Sequence, residues 1–105
     1  MKFHNLPLEG AFLIELEKFE DERGFFSRLF CKREFESLNL DSKIVQINDS
    51  FNVNKFTLRG IHYQIPPMEE TKIVRCMQGS VWDLIIDLRP NSRTFKNSPN
   101  LFQNI

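Results

Sequence analysis

The run Thr57-Leu58-Arg59-Gly60-Ile61-His62-Tyr63-Gln64 constrains the fold more than any other stretch of the chain. Thr, Leu, Ile and Tyr suit a pleated surface, and Pro66-Pro67 stops the run, so it reads as a strand near residues 56–64. A strand buried on both faces would be apolar, yet this one carries Arg59, His62 and Gln64. Each has an ordinary explanation alone: a solvated face, a hydrogen-bonded core imidazole, a strand end. Together with Gly60 they ask for more, because a glycine inside a strand marks a bulge or a close approach to the backbone. Strict alternation puts Arg59 on the face opposite His62 and Gln64, whereas a bulge at Gly60 brings all three to one side.

The rest of the chain reads as short strands around this one. Residues 11–17 alternate, with Phe12, Ile14 and Leu16 on one face. Asp21-Glu22-Arg23-Gly24 is a turn, and 25–31 is a strand with Phe26, Arg28 and Phe30 on one side. Residues 32–38 form the one helical piece, with Phe35 and Leu38 sharing a face. Strands follow at 44–51, 56–64, 72–77 and 80–88, with a Gln78-Gly79 turn before the last; beyond Arg89 the strand signal fades. Six strands and one small helix predict a mostly antiparallel β protein. The 105 residues make one domain, and 41% hydrophobic residues with eleven Phe exclude a disordered chain. Fourteen basic and fourteen acidic residues cancel, leaving no footprint for a nucleic-acid backbone. No apolar run reaches membrane length and no leader pattern opens the chain, so the expected location is the cytoplasm, with no membrane partner. Cys31 and Cys76, distant and in unlike contexts, read as reduced buried thiols.

TLRGIHYQ, with Pro67, Lys72 and the strand from Gly79 to Asp87, resembles the dTDP-4-dehydrorhamnose 3,5-epimerase family over about Leu13 to Arg89. The resemblance implies a cupin or jelly-roll type antiparallel β-barrel. It also implies an isomerase acting on 4-keto-6-deoxy sugars carried by a nucleoside diphosphate, dTDP above all, in deoxysugar biosynthesis of the kind that feeds lipopolysaccharide. Asp21-Glu22-Arg23-Gly24-Phe25-Phe26 matches a D-x-R-G-x-F element; without the resemblance it is an ordinary charged turn. With it, Arg23 becomes a phosphate contact, since a guanidinium fork donates two parallel hydrogen bonds, and Phe26 a wall beside sugar or base. Gln46 and Asn48 fall on a Q-x-N element, on a strand face that meets either water or a polar cavity.

The implied reaction removes a proton next to a keto group and returns one from the opposite face. That needs a base titrating near neutrality, for which His62 is the candidate. Negative charge then develops on the keto oxygen, and Lys72 matches the lysine that stabilises it; otherwise it reads as a surface lysine after a turn. Arg59 holds the diphosphate and so positions the sugar. An Asp in an apolar strand needs a partner. Asp83 is assigned to the pocket, and Asp87 to a structural role with Arg89.

The resemblance is incomplete in two places. Arg28 stands where rhamnose-pathway enzymes carry Glu, which turns an acceptor into a fixed cation and leaves the sugar open. Past Asn91-Ser92-Arg93-Thr94-Phe95, close to an S-P-T-F turn, the match dissolves. The later strands, the tyrosine acid and the aspartate behind the histidine are then missing, because the one tyrosine, Tyr63, neighbours His62 on the opposite face. The expectation is a single epimerase-like cupin domain over 1–105, shortened at its C-terminus, inactive alone, and a homodimer through its open strand edges. Two other readings stay open: a non-catalytic remnant that binds nucleotide sugar or assembles with another chain, and a related sugar ketoisomerase.

No cofactor is expected, and no metal. Only His4 and His62 are available, and His62-Tyr63-Gln64 fills a two-histidine cupin slot with one imidazole. Elemental analysis of the untagged protein should therefore find no zinc, iron or nickel near one equivalent per chain. A stoichiometric metal would overturn both the metal-free site and the epimerase assignment.

Overall fold

The computed structural model describes residues 1–104. Its elements are three antiparallel strand pairs and one short helix. Strand β1 (Lys2–Asn5) pairs with β2 (Phe12–Glu15), matching Phe3 to Ile14 and Asn5 to Phe12. The link between them is closed by Leu6 N–H donating to Ala11 C=O at 3.0 Å and Ala11 N–H to Leu8 C=O at 3.1 Å. Strand β3 (Lys18–Asp21) pairs with β4 (Gly24–Ser27) around the Glu22-Arg23 turn. Gly24 takes a φ of +128°, which a side chain would resist. Helix α1 (Lys32–Glu36) follows. Strand β5 (Ser80–Leu84) pairs with β6 (Asn100–Asn104), with Trp82 opposite Phe102.

The core is aromatic. Phe35, on α1, is 2% exposed. Its ring meets Phe3 edge-on at 5.5 Å and Phe30 at 4.9 Å, and Phe3 meets Phe12 at 6.4 Å. Edge-to-face pairing of this kind adds to the area each ring buries. The helix is short because Asn39 turns to a φ of +55°, leaving Leu38 and Asn39 with tight bonds to the carbonyls of Phe35 and Glu36 at 3.1 Å. A second buried knot lies after β5. The Asp87 carboxylate accepts from Arg89 Nε at 2.9 Å, Ser92 Oγ at 2.6 Å and Thr94 Oγ1 at 2.7 Å. Arg89 and Thr94 in turn reach back to the backbone of Glu9, which ties the end of the chain to its beginning.

The mostly antiparallel β class is as expected, but the strands are not the expected set. Residues 44–51, 56–64 and 72–77 hold no strand, and β4 and β5 stop at Ser27 and Leu84, short of 31 and 88. A strand exists only with a neighbour. Among the described residues the backbone of 41–79 has one internal backbone bond, Met68 N–H to Ile65 C=O at 2.9 Å. Conversely, β1, β3 and β6 formed where no strand was expected. Their polar residues are tied by partners the sequence does not announce, such as Gln103 on β6, which donates to Asp83 on β5 at 2.6 Å.

The exposed area is 9622 Å², against about 6,200 Å² for a compact chain of this size. The radius of gyration is 15.4 Å, where about 13 Å would be compact. Apolar side chains contribute to it along 41–79, where Ile47 and Val53 are each 85% exposed and Leu58 91%, and on the hairpins, where Phe26 is 72% and Trp82 69% exposed.

Stability should therefore rest on the Phe35 cluster and not on the middle of the chain. Phe35→Ala should cost about 3–5 kcal/mol, enough to abolish a cooperative melt. Ile47→Ala should change stability by less than about 0.5 kcal/mol. Urea titrations followed by tryptophan emission distinguish them, and equal losses would place the core elsewhere.

Candidate active site

The residues singled out in the sequence lie on two kinds of support. Arg23, Phe26 and Asp83 belong to paired hairpins. Gln46, Asn48, Arg59, His62 and Lys72 belong to the unpaired stretch 41–79.

On the β3–β4 hairpin the Asp21 side chain accepts from Arg23 N–H at 2.8 Å and from Arg23 Nε at 3.2 Å. This clip closes the turn, and the Arg23 guanidinium holds the Asp21 carboxyl below its ordinary range. Both side chains face solvent, so an incoming anion competes with an exposed ion pair that contributes little. Phe26 lies opposite Phe19 in the hairpin register. These two rings, with Met1, Glu17 and Arg28, line a cleft of about 100 Å³. Phe19 was not among the expected site residues; its two-residue offset from Asp21, mirrored by Phe26 after Gly24, is the signal that pairs them. The Arg28 guanidinium does not stand alone: Nη1 donates to Glu34 on α1 at 2.8 Å, and Glu34 also accepts from the Met1 amino group at 3.1 Å. Those two cations hold the Glu34 carboxyl low.

In the unpaired stretch Gln46 Nε2 donates to Asn48 Oδ1 at 3.1 Å, so the Q-x-N pair shares one side. Arg59 is fixed by Nε donating to Asn52 Oδ1 at 2.7 Å and Nη2 to Phe51 C=O at 3.4 Å. Gly60 takes a φ of +106°, and a Cβ there would stand 3.4 Å from the His62 nitrogen and 3.6 Å from its Nδ1. The positive φ is what asks for glycine here, since a Cβ would make only ordinary contacts with His62. His62 is exposed, and the other imidazole is occupied elsewhere, with His4 Nε2 2.9 Å from Glu15 on the β1–β2 pair. Lys72 Nζ lies 3.5 Å from Glu70. Asp83, half-buried, accepts from Gln103. Among the described residues, Gln46 and Asn48 are the one pair of these site residues joined by a hydrogen bond or ion pair.

Other groups fall outside the site. Asp87 is the buried centre of the knot with Arg89, Ser92 and Thr94, which matches its expected structural role. A larger cleft, about 300 Å³, runs between residues 8–11 and 85–89 and holds none of the expected binding residues. Cys31 and Cys76 are free thiols, half-buried and not fully buried as expected. No helix among the described residues is long and apolar enough to cross a membrane.

Known proteins are similar to this chain in sequence and fold. The family model described as dTDP-4-dehydrorhamnose 3,5-epimerase matches residues 5–101. A dTDP-4-dehydrorhamnose 3,5-epimerase of Sinorhizobium fredii is 37% identical over 95 residues, 90% of this chain and 49% of that protein. The Escherichia coli protein of that name is 39% identical over 89 residues, 84% of this chain and 48% of the relative. The chain thus spans about half the length of the curated relatives it matches. The crystal structure of the Elizabethkingia anophelis enzyme superposes with a TM-score of 0.88 at 37% identity, covering 99% of this chain and 57% of that one. A Bacillus anthracis structure with TDP and PPi bound gives 0.91 at 36% identity, covering 98% and 59%. The fold is of the cupin type these structures share.

The Asp87 knot carries a pH dependence. Its three donors hold the carboxyl far below the ordinary 3.8, with Arg89 the largest cause. A depressed carboxyl stabilises the fold above its unfolded value and loses that contribution as pH falls below it. The melting temperature should drop steeply once pH passes below 3.8. Asp87→Asn should melt lower at neutral pH and show a shallower acid slope. An unchanged slope would mean that the exposed carboxylates govern acid unfolding.

Proposed function

Because the chain belongs to the dTDP-4-dehydrorhamnose 3,5-epimerase family, we propose that it carries the binding half of an epimerase site for nucleoside-diphosphate 4-keto-6-deoxy sugars. The observation carrying this is its superposition, over 98% of its length, on a relative solved with TDP and PPi. His62 is the base: it takes the proton α to the keto group while the C–H pair moves into an enolate. Lys72 stabilises the enolate oxygen. Arg23 and Arg59 meet the diphosphate, Phe26 flanks the sugar or base, Gln46 and Asn48 contact the sugar, and Asp83 borders the pocket. Two cationic forks on a dianionic tether would hold the reacting carbon over the imidazole.

The 105-residue chain alone does not turn substrate over under this reading. A base on one face exchanges a proton but inverts nothing; inversion needs a donor on the other face, and Tyr63 stands beside His62. In the same reading the chain is a single cupin unit, and copies of it self-associate, as a homodimer, through open strand edges. A second reading, a non-catalytic nucleotide-sugar binder, draws support from the exposure of His62 and Lys72, which leaves both side chains open to water.

The test is solvent deuterium uptake at the carbon next to the keto group of a dTDP-4-keto-6-deoxy sugar. A version completed with the remaining half of a relative should exchange, and His62→Ala should exchange at least about 100-fold more slowly, the scale of general base catalysis. Exchange as fast as the parent sinks the assignment of His62. A ligand-induced rise in melting temperature without any exchange supports the binding-only reading.

A further inference from the structure

We propose that Asn52 is a positioning residue for the diphosphate. It holds the Arg59 guanidinium through a neutral oxygen, which keeps that cation uncompensated and leaves one edge of its fork open to an anion. This role rests on the diphosphate contact proposed for Arg59 and deepens it.

The local chain brings the two residues together. Residues 53–56 turn, with Phe56 at a φ of +60° and Thr57 Oγ1 donating to Asn54 C=O at 2.8 Å. A hydroxyl bonding back onto the main chain closes such a turn without a sheet partner. Its flanks then meet. Arg59 Nε donates to Asn52 Oδ1 at 2.7 Å, and Nη2 donates to Phe51 C=O at 3.4 Å. A guanidinium has five N–H groups and no acceptor, so the Asn52 amide must present its oxygen. Both bonds fall on the edge made by Nε–H and the neighbouring Nη2–H. The other edge, Nη1 with the second Nη2–H, carries no hydrogen bond among the described residues. That edge has the two parallel donors that meet a pair of phosphate oxygens.

Charge sets this arginine apart. Among the described residues, the other guanidinium groups held by hydrogen bonds each face a carboxylate: Arg23 faces Asp21, Arg28 faces Glu34 and Arg89 faces Asp87. A carboxylate in that place offsets the charge that an incoming anion would feel. Arg59 has no carboxylate within ion-pair distance among the described residues, and the nearby Asp49 turns its Oδ1 to Ser50 N–H at 2.8 Å. The chain therefore holds three arginines fixed and paired, and one fixed and left charged. Holding it beforehand also matters, because a long side chain that is already ordered loses less rotamer freedom when the ligand binds.

A residue that only closed the loop would give the same bond, so the test must read charge and orientation. The full chain is titrated with thymidine diphosphate at low and at physiological salt, as parent, Asn52→Ala, Asn52→Asp, Arg59→Ala and the Asn52→Ala/Arg59→Ala double variant. Asn52→Asp keeps an oxygen of the same reach but sets a carboxylate on the guanidinium. It should weaken binding about threefold or more and flatten its salt dependence. Asn52→Ala should weaken binding by about as much, and should speed solvent exchange of the Arg59 Nε–H seen by NMR. Both residues are exposed, so the melting temperature of either Asn52 variant should stay near that of the parent. On the Arg59→Ala background, Asn52→Ala should cost nothing further, because its effect runs through Arg59. Parent-like affinity in both Asn52 variants, with binding lost in Arg59→Ala, overturns the role of Asn52 and leaves that of Arg59 standing. A lower melting temperature in Asn52→Ala with unchanged Nε–H exchange makes Asn52 a loop-closing residue and overturns it too. A parent that binds no thymidine diphosphate, or an Arg59→Ala variant that binds it as well as the parent, sinks the diphosphate contact of Arg59 and the role of Asn52 with it.

Discussion

A β-strand is a relation between two segments, and that requirement decides which parts of this chain are built. Where a segment finds its neighbour, structure forms: β1 on β2, β3 on β4, β5 on β6. The two local pairings are joined by short links, so closing them costs little chain entropy. The β5–β6 pair closes over a longer loop, and there the Asp87 knot offsets the cost with five hydrogen bonds from Arg89, Ser92 and Thr94. Where no neighbour is available, at 41–79, apolar residues of good strand propensity stay exposed. Propensity describes fit to a sheet that must already exist.

This constraint explains what could be read from the sequence. Residues 12–15 and 24–27 were legible because their alternation and the Asp-x-Arg-Gly turn are local facts, and the helix because Phe35 faces inward with charged neighbours outward. Strands β1 and β6 were not, since their stability comes from partners: Phe3 from Phe12 and Phe35, Gln103 from Asp83 and the backbone of Cys76. The reading of 44–77 recognised residues suited to strands but had no way to register the lack of partners. Among the site residues, Gly60 was the most legible, because its lack of a side chain is needed at a φ of +106° beside His62. The ties of Arg59 to Asn52 and of Arg28 to Glu34 were invisible, being contacts across turns that no spacing rule specifies.

Arg28 shows how a charge beside the cleft is absorbed. An unpaired cation beside Phe19 and Phe26 would attract a phosphate. Here it points its Nη1 at Glu34, and the charge is spent within the fold, between β4 and α1.

The division between paired and unpaired segments also divides the proposed chemistry. Arg23, Phe26 and Asp83 stand on hairpins that hold themselves together, whereas His62, Lys72, Arg59, Gln46 and Asn48 stand on backbone that does not. Catalysis by charge stabilisation needs donors fixed before the reaction begins, since reorienting them during it consumes the stabilisation they offer. An imidazole and an ammonium on unpaired backbone are not fixed in that sense. Pairing 41–79 with neighbouring strands would do two things at once: satisfy the backbone and immobilise the five side chains relative to one another. Under the proposed function, such pairing would order the sheet and the proposed site residues together.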